Sequence, residues 1–407
     1  MNDTNGSNGS GGAGAGPDPF APAKLGPVQL RNRILKAATF EGMSPEALVT
    51  DHLLDFHRRH AAGGVGVSTV AYLAVAPEGR THAEAIWLRD SAVPGLRELT
   101  DAIHAEGAAA GAQIGHAGPV ANGRSNQAPS LAPSKGFSPL SMRPIRGVTE
   151  TDLERVTMDF GRAARLAVES GFDVLEVHLG HNYLPSSFLS PSLNRRKDRW
   201  GGSIENRVRF PRQIVRAVRD AAGDGVAVIA KFNMVDGYPG GMKIDDSLVA
   251  AGLLEEDGCL DAIELTGGSS YANPMYLFRG DAPLEEFAET LPQPMKTGFK
   301  LFGKKMMPTY PFEEAFFLEK AKQFREQLSM PLILLGGINN RSTIEMAMGE
   351  GFEFVAMGRA LLHDPEIINK MQSGEQTEGQ CIHCNRCMPT IYSGTRCILN
   401  DPEPLYP

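Results

Sequence analysis

Residues 173–209 read DVLEVHLGHNYLPSSFLSPSLNRRKDRWGGSIENRVR and contain a strand, a polar loop and a helix in succession. The apolar run at 173–179 has the length and the Val and Leu content of a buried strand. It ends on three polar side chains that can take part in chemistry, His178, His181 and Tyr183. A loop rich in Pro and Ser follows, and a helical pattern then covers 204–222 with Ser203 as its candidate N-cap. Because α/β barrels carry their chemistry on loops at the carboxyl ends of parallel strands, this order predicts a site at the three polar residues.

The same alternation of apolar strand and amphipathic helix repeats along the chain. The predicted strands are 33–40, 65–71, 108–114, 173–179, 227–233, 262–268, 331–337 and 352–358. The predicted helices are 53–62, 92–106, 151–170, 204–222, 247–256, 312–327 and 342–348. Repeated strand–helix units predict parallel strands with crossovers, and eight of them predict an α/β fold of the (β/α)8 TIM barrel type. The alternative, an open doubly wound sheet, would require a Gly-x-Gly-x-x-Gly turn after an early strand, and the sequence has none there.

Composition narrows the class of protein. Of the 407 residues, 42% are apolar and 22% are charged, which is typical of a soluble globular protein. The net charge of −8 argues against a nucleic acid or an anionic membrane as a partner. No apolar run approaches the roughly 20 residues needed to span a bilayer. The start of the chain lacks an export signal, which predicts a cytoplasmic protein.

Three regions are predicted along the chain. Residues 1–19, rich in Gly, Ser and Asn, cannot bury a core and are expected to form a disordered tail. Residues 20–375 form the barrel, in which 24–30 read as a short strand or hairpin that closes the bottom. Residues 376–407 form a Cys-rich C-terminal extension packed on the barrel.

Two segments are too long to be simple connections. Residues 115–149 follow the third predicted strand and are rich in Pro, Ser and Gly, and residues 269–311 follow the sixth. Loops of this length in a compact domain are usually lids or binding loops, and both follow strand ends on the side of the two histidines. The alternative is that they are variable surface insertions.

The residues after the first histidine carry a specific resemblance. His-x-x-His-x-Tyr is followed by Ser-Pro, then Asn-x-Arg-x-Asp, then Gly-Gly-Ser-x-x-Asn-Arg. This pattern resembles the signature of the Old Yellow Enzyme family of NADH:flavin oxidoreductases, which are FMN-dependent ene-reductases. Trp200 departs from it, since the family usually has Tyr there. The resemblance implies that NAD(P)H reduces bound FMN, which then passes a hydride to the β-carbon of a small-molecule activated alkene in a ping-pong cycle.

The resemblance gives the three polar residues catalytic and substrate-binding roles. His178 and His181 would donate hydrogen bonds to the substrate carbonyl oxygen and stabilise the negative charge that develops there. Tyr183 would supply a proton to the α-carbon from the opposite face. Two alternatives are that the histidines are structural, or that Glu176, His178 and His181 bind a metal as in hydrolytic barrels.

The resemblance also predicts contacts to the flavin. Gln113 matches the position whose amide reads the pyrimidine edge, and the backbone of Ala37, Ala38, Thr39 and Phe40 would lie along the ring. Lys231, where many members have Arg, would face the negative charge of the reduced flavin. The alternative for Lys231 is a salt bridge to Glu264 or Glu176 without a ligand. In barrels a phosphate is commonly held after strands seven and eight, which points to Gly336, Gly337, Gly358 and Arg359, although glycines there can also be simple turns.

Four of the five cysteines crowd into the last 27 residues, as Cys381-x2-Cys384-x2-Cys387-x9-Cys397. This spacing suits thiolate ligation of [4Fe–4S] or of zinc. It resembles the iron–sulfur site of the 2,4-dienoyl-CoA reductase branch, but the middle gap is one residue shorter and the sequence is not expected to include that branch's second domain. The alternative is a reduced Cys-rich tail packed under the barrel. Cys259, alone at the start of a strand, is predicted to be a core residue.

Other functions fit the same pattern. The flavin barrel could act on nitro compounds, quinones or amines, or bind FMN or another ligand without turnover. Neither the substrate nor a choice between NADH and NADPH is encoded in a readable motif, and a homo-oligomer is compatible with the sequence.

Overall fold

Parallel strands close into a barrel in the computed structural model, which describes residues 16–138, 141–291 and 293–406. The chain enters through an antiparallel hairpin of β1 (Ala23–Leu25) and β2 (Val28–Leu30). The barrel strands are β3 (Ile34–Lys36), β4 (Val67–Ala74), β5 (Ala109–Gly115), β9 (Val174–Leu179), β10 (Ala227–Asn233), β11 (Ala262–Thr266), β12 (Leu332–Leu335) and β13 (Phe354–Met357). Neighbours pair in this order, and β13 pairs with β3 to close the ring. The predicted (β/α)8 barrel is confirmed, and each predicted strand overlaps one of these.

Helices cover the outside of the barrel. Their bounds are α1 (Asp51–Ala62), α2 (Val93–Ala105), α3 (Glu150–Glu169), α4 (Leu184–Leu189), α5 (Ile204–Arg207), α6 (Arg209–Ala222), α7 (Ile244–Glu256), α8 (Pro274–Phe278), α9 (Leu284–Glu289), α10 (Met295–Met306), α11 (Leu318–Gln327), α12 (Arg341–Gly349), α13 (Arg359–His363) and α14 (Ile367–Ser373). The helix predicted at 204–222 is divided into α5 and α6. Ser203 does occupy the N-cap position of α5, but its side chain makes no capping hydrogen bond. The sequence did not predict α4, α8, α9, α10, α13 and α14.

The hairpin packs against the amino-terminal ends of the barrel strands. Leu25 and Leu30 are buried in one cluster with inward-facing residues such as Leu35, Val67 and Val174. Burying an aliphatic side chain of this size contributes about 1.5–3 kcal/mol. The barrel floor is therefore closed by apolar packing, as the sequence predicts for residues 24–30, and the other end is left for polar residues.

The two long segments carry secondary structure of their own. Residues 115–149 contain a three-stranded sheet of β6 (Leu131–Ala132), β7 (Gly136–Ser138) and β8 (Arg143–Gly147). Residues 269–311 contain α8, α9 and α10. Tyr271 Oη donates a hydrogen bond of 3.0 Å to the carbonyl oxygen of Phe137, which joins the two segments. Both follow the carboxyl ends of barrel strands, on the side of the predicted site.

The structure bears on two further predictions, the disordered N-terminal tail and the absence of a membrane span. Most of the predicted disordered tail, residues 1–15, lies outside them. Among the helices that the structure describes, none combines the length and apolarity that crossing a membrane requires.

Candidate active site

The end of β9 gathers three rings. After the strand the backbone turns sharply, with φ of +57° at His181 and +61° at Asn182, before α4 begins. The turn brings the ring centroid of His181 to 5.1 Å and that of Tyr183 to 4.2 Å from the centroid of His178. The three residues predicted to be catalytic thus form one cluster.

Both histidines are neutral at neutral pH. His178 and His181 are 3% and 8% exposed. Burial and, more weakly, the positive charge of Lys231 lower the pKa of His181 to about 3. Burial, His181 and Lys231 likewise hold the pKa of His178 well below its usual value. A neutral imidazole has one N–H, so each ring can donate one hydrogen bond.

A fourth ring, Tyr72, was missed in the sequence. It lies in β4 and contacts Tyr183 edge to face, with centroids 5.4 Å apart. Its hydroxyl donates to the carbonyl oxygen of Gly79, and burial holds the pKa of Tyr72 well above its usual value. Ala38 and Phe40, which follow β3, pack on the same apolar cluster. In the sequence, the sole indication of a role for Tyr72 was that it is an aromatic residue among the small and aliphatic residues of β4.

Below the rings, Lys231 lies between two carboxylates. Its Nζ is 2.9 Å from Glu176 Oε1 and 2.5 Å from Glu264 Oε1, and the three side chains are at most 3% exposed. The register explains the contact, because Lys231 is paired with His178 on one side and with Glu264 on the other. Gln113 Nε2 donates to Glu176 Oε2 at 2.6 Å. Both salt bridges that the sequence offered as alternatives are therefore present.

One of the two carboxyl groups carries a proton at neutral pH. Burial and the charge of Glu176 raise the pKa of Glu264 to about 8, against the opposing effect of Lys231. Burial by itself lowers the pKa of Lys231, but the two carboxylates outweigh it and the pKa lies above its usual value. The cluster is thus close to neutral, and Lys231 is not a bare cation. Its role toward a flavin stays a prediction.

The residues predicted to hold a phosphate lie in two different environments. A Cβ on Gly336 would come within 2.4 Å of Phe317, and both Gly336 and Gly337 have positive φ, so chain packing alone requires glycine there. A Cβ on Gly358 would meet only Thr39 Cγ2 at 3.8 Å.

One guanidinium nitrogen of Arg359 donates to other parts of the chain. Its Nη1 donates to the carbonyl oxygen of Arg279 at 2.7 Å and to Asn385 Oδ1 at 2.5 Å. Burial lowers the pKa of Arg359 below its usual value. Both bonds come from Nη1, and a guanidinium has further N–H donors on Nε and Nη2, so a grip on a phosphate stays a prediction.

The C-terminal cysteines are reduced and lie beside the barrel mouth. His363 Nδ1 is 3.4 Å from Cys397 Sγ, and Arg359 is close enough to Cys381 and Cys387 to act on them electrostatically. In the described part of the chain, no group of three or more His, Cys, Asp and Glu side chains is arranged to hold a metal ion. The geometry therefore does not support metal binding by the four cysteines. It also does not support metal binding by Glu176, His178 and His181.

The same segment contacts the loop after β3. Thr395 donates from its amide to the carbonyl oxygen of Glu41 at 2.7 Å and from its hydroxyl to that of Phe40 at 2.5 Å. These bonds fix one wall of the candidate site from the far end of the sequence. The division of the chain into tail, barrel and extension itself stays a prediction.

Comparison with known proteins identifies the family of this chain. Residues 18–262 match the model of the NADH:flavin oxidoreductase / NADH oxidase family. The chain belongs to this family. As a member of the Old Yellow Enzyme group it is an FMN-dependent NAD(P)H oxidoreductase.

Relatives of this oxidoreductase differ in what they act on. A 4,4'-dithiodibutanoate disulfide reductase of Rhodococcus erythropolis is 58% identical over 385 residues, which cover 95% of this chain and 96% of the relative. Among solved structures, a 2-naphthoyl-CoA reductase is 25% identical with a TM-score of 0.79, and the match covers 94% of this chain but only 56% of that one. An Old Yellow Enzyme homologue of Zymomonas mobilis has a TM-score of 0.71 at 19% identity, covers 90% of this chain and 96% of that one, and shows the shared fold.

The residues of this flavoenzyme fit FMN. The side-chain amide of Gln113 donates one N–H to Glu176, and the side-chain carbonyl oxygen of Gln113 can still accept a hydrogen bond from a ligand. His178 Nδ1 is buried without a hydrogen-bond partner among the described residues, a demand that a ligand can meet. The space beside Gly358 admits close backbone approach. We expect Gln113 and Lys231 to hold the ring system and the Gly358 backbone to hold the phosphate.

Proposed function

We propose that this chain reduces the C=C bond of small α,β-unsaturated carbonyl compounds with electrons from NAD(P)H. The observation that carries the proposal is the grouping of His178, His181 and Tyr183, whose ring centroids lie 4.2–5.1 Å from that of His178. When bound, FMN supplies the hydride that reaches the β-carbon. The hydride and one proton together convert the double bond into a CH–CH bond.

The two histidines stabilise the charge that develops on the substrate. As the hydride arrives, negative charge moves to the carbonyl oxygen, and the single N–H of each neutral ring of His178 and His181 donates to it. Donors fixed in a buried site are effective because they need no reorganisation, and each is worth roughly 10²–10³ in rate.

Tyr183 supplies the proton. A phenol is a competent general acid where water is excluded, and the edge-to-face contact with Tyr72 holds the ring of Tyr183 in place. The proton passes from the hydroxyl to the α-carbon, and solvent then restores it.

The test is an anaerobic titration of the FMN-loaded protein. NADPH should bleach the visible flavin absorbance, cyclohexenone should restore it, and cyclohexanone should be the product. A nitroarene, a quinone and an amine are run in parallel. Bleached protein that cyclohexenone does not reoxidise, while another acceptor does, would refute the proposal. A flavin that NADPH and NADH both leave unbleached would instead support a binding protein without turnover.

A second candidate is the reduction of organic disulfides. It is favoured by the 58% identity to a 4,4'-dithiodibutanoate disulfide reductase over 95% of the chain. NAD(P)H would supply two electrons and one hydrogen, and Tyr183 the proton, so that one disulfide becomes two thiols. Adding 4,4'-dithiodibutanoate to NADPH-reduced protein decides this candidate: two free thiols per NADPH support it, and no thiol excludes it.

The histidines should leave no trace in the pH profile. Because the pKa of His181 is about 3 and that of His178 lies well below its usual value, neither ring titrates near the ordinary histidine pKa. We expect kcat/KM for cyclohexenone to be flat from about pH 5 to 7. A limb with a midpoint near the ordinary histidine pKa of about 6.5 would contradict neutral donors.

A further inference from the structure

The ring of His181 is fixed by a residue of a different strand. His181 Nε2 lies 3.0 Å from the hydroxyl oxygen of Thr266, the last residue of β11, and Thr266 is fully buried. The carbonyl oxygen of Thr266 accepts from the amide of Met234 at 2.7 Å, which anchors the strand end. The position of this hydroxyl is therefore set by the barrel and not by a mobile loop.

The backbone of His181 is fixed independently. Its amide donates to Asn233 Oδ1 at 3.0 Å. The amide group of Asn233 cannot turn around, because its Nδ2 donates to Asp236 Oδ1 at 3.1 Å and to the carbonyl oxygen of Gly268 at 2.8 Å. The bond from the His181 amide to Asn233 Oδ1 stabilises the backbone of His181 at its positive φ. The remaining question is which ring nitrogen carries the hydrogen.

The hydrogen-bond inventory decides that protonation. His181 is neutral, so one ring nitrogen carries a hydrogen and the other accepts. Within the described residues, Thr266 Oγ1 has no hydrogen-bond partner other than His181 Nε2. If Nε2 carried the hydrogen, the hydroxyl hydrogen of a fully buried threonine would have no acceptor, which is costly. The favoured arrangement has Thr266 donating to Nε2.

We propose that Thr266 is a positioning residue that holds His181 in the tautomer with its hydrogen on Nδ1. Nδ1 has no partner among the described residues, so its N–H is left to donate to a substrate oxygen. The consequence for catalysis rests on the proposed function, whereas the tautomer itself does not. Without the hydroxyl the ring could carry its hydrogen on either nitrogen, and part of the protein would present an acceptor to the substrate.

Nitrogen NMR on the FMN-loaded, 15N-histidine-labelled protein tests the tautomer directly. Thr266→Val removes the hydroxyl with little change of shape, Thr266→Ser keeps it, and His181→Gln identifies the His181 signals by their loss. We expect the Nδ1–H tautomer in the wild type and in Thr266→Ser, and a mixture in Thr266→Val. An Nε2–H tautomer in the wild type would overturn the proposal. So would the same His181 spectrum in the wild type, Thr266→Val and Thr266→Ser.

Kinetics separates this proposal from the proposed function. Thr266→Val should reduce kcat for cyclohexenone about tenfold, less than the loss of a whole donor, and Thr266→Ser should restore it. Reduction of the flavin by NADPH should be unchanged in both variants, which also reports intact folding and cofactor binding. If the wild type shows no cyclohexenone turnover but Thr266→Val changes the tautomer, the proposed function fails and the positioning role stands. If cyclohexenone is reduced and the tautomer does not respond, the positioning role fails alone.

Discussion

Replacing Lys231 by Met is expected to lower the free energy of unfolding by about 3–5 kcal/mol. The substitution leaves Glu176 and Glu264 facing each other in the barrel, both at most 2% exposed as side chains, with no cation between them. The desolvation of a buried carboxylate is offset only by a charged or hydrogen-bonding partner, so the ionised group must either take up a proton or strain the site. Urea unfolding of the variant, with and without FMN, measures the loss.

Two variants control this experiment. Lys231→Arg keeps the charge and should retain most of the stability. Glu264→Gln should have a small effect at pH 7, because the pKa of about 8 keeps Glu264 protonated and an amide resembles the neutral acid. A loss below about 1 kcal/mol in Lys231→Met, the range of an exposed ion pair, would show that the cluster is solvated and not a buried pair.

Replacing Tyr183 by Phe is expected to slow cyclohexenone turnover by roughly 10²–10⁴. The aromatic ring and its contacts with Tyr72 and His178 remain, so the variant should fold and bind FMN as the wild type does. Only the hydroxyl that supplies the proton is lost. Rapid-mixing absorbance should show unchanged reduction by NADPH and slow reoxidation by the enone.

Tyr271→Phe is the matched control. It removes the same hydroxyl from a tyrosine of the 269–311 segment, where the group donates to the carbonyl oxygen of Phe137. Turnover in this variant should stay within about threefold of the wild type, since a surface hydrogen bond contributes little. If Tyr183→Phe and Tyr271→Phe reduce turnover equally, Tyr183 is not the proton donor.

The barrel and the group of His178, His181 and Tyr183 could be predicted because residues close together in the sequence indicate them. Strand and helix periodicity defines the repeating units, and the three polar residues lie within six positions at the end of one strand. The sequence left a salt bridge of Lys231 to Glu264 or Glu176 as an alternative to a flavin contact, and it gave no sign of the contacts of Thr266 and Tyr72. Each depends on which residues of neighbouring strands lie opposite one another, and one sequence alone does not define that register.

The long segments show a second limit. The helices α8 and α9 span five and six residues, which is too short for periodicity to distinguish them from loops. Arg359 shows a third limit. A basic residue after the last strand is compatible with a phosphate, but the sequence does not reveal that Asn385 and the carbonyl oxygen of Arg279 accept hydrogen bonds from its Nη1.

The contact of Thr395 with Phe40 and Glu41 has a consequence for biosynthesis. The two partners are separated by about 355 positions in the chain, and the closure of the barrel between β13 and β3 spans a similar distance. Contacts of such long range form late, because the intervening chain must first lose its conformational freedom. During translation, β3 and the loop that follows it leave the ribosome long before β13 and Thr395, which hold them in place. The wall of the active site beside Phe40 is therefore completed only after the C-terminal residues have been synthesised, and a nascent chain halted before Thr395 would carry the catalytic rings without that wall.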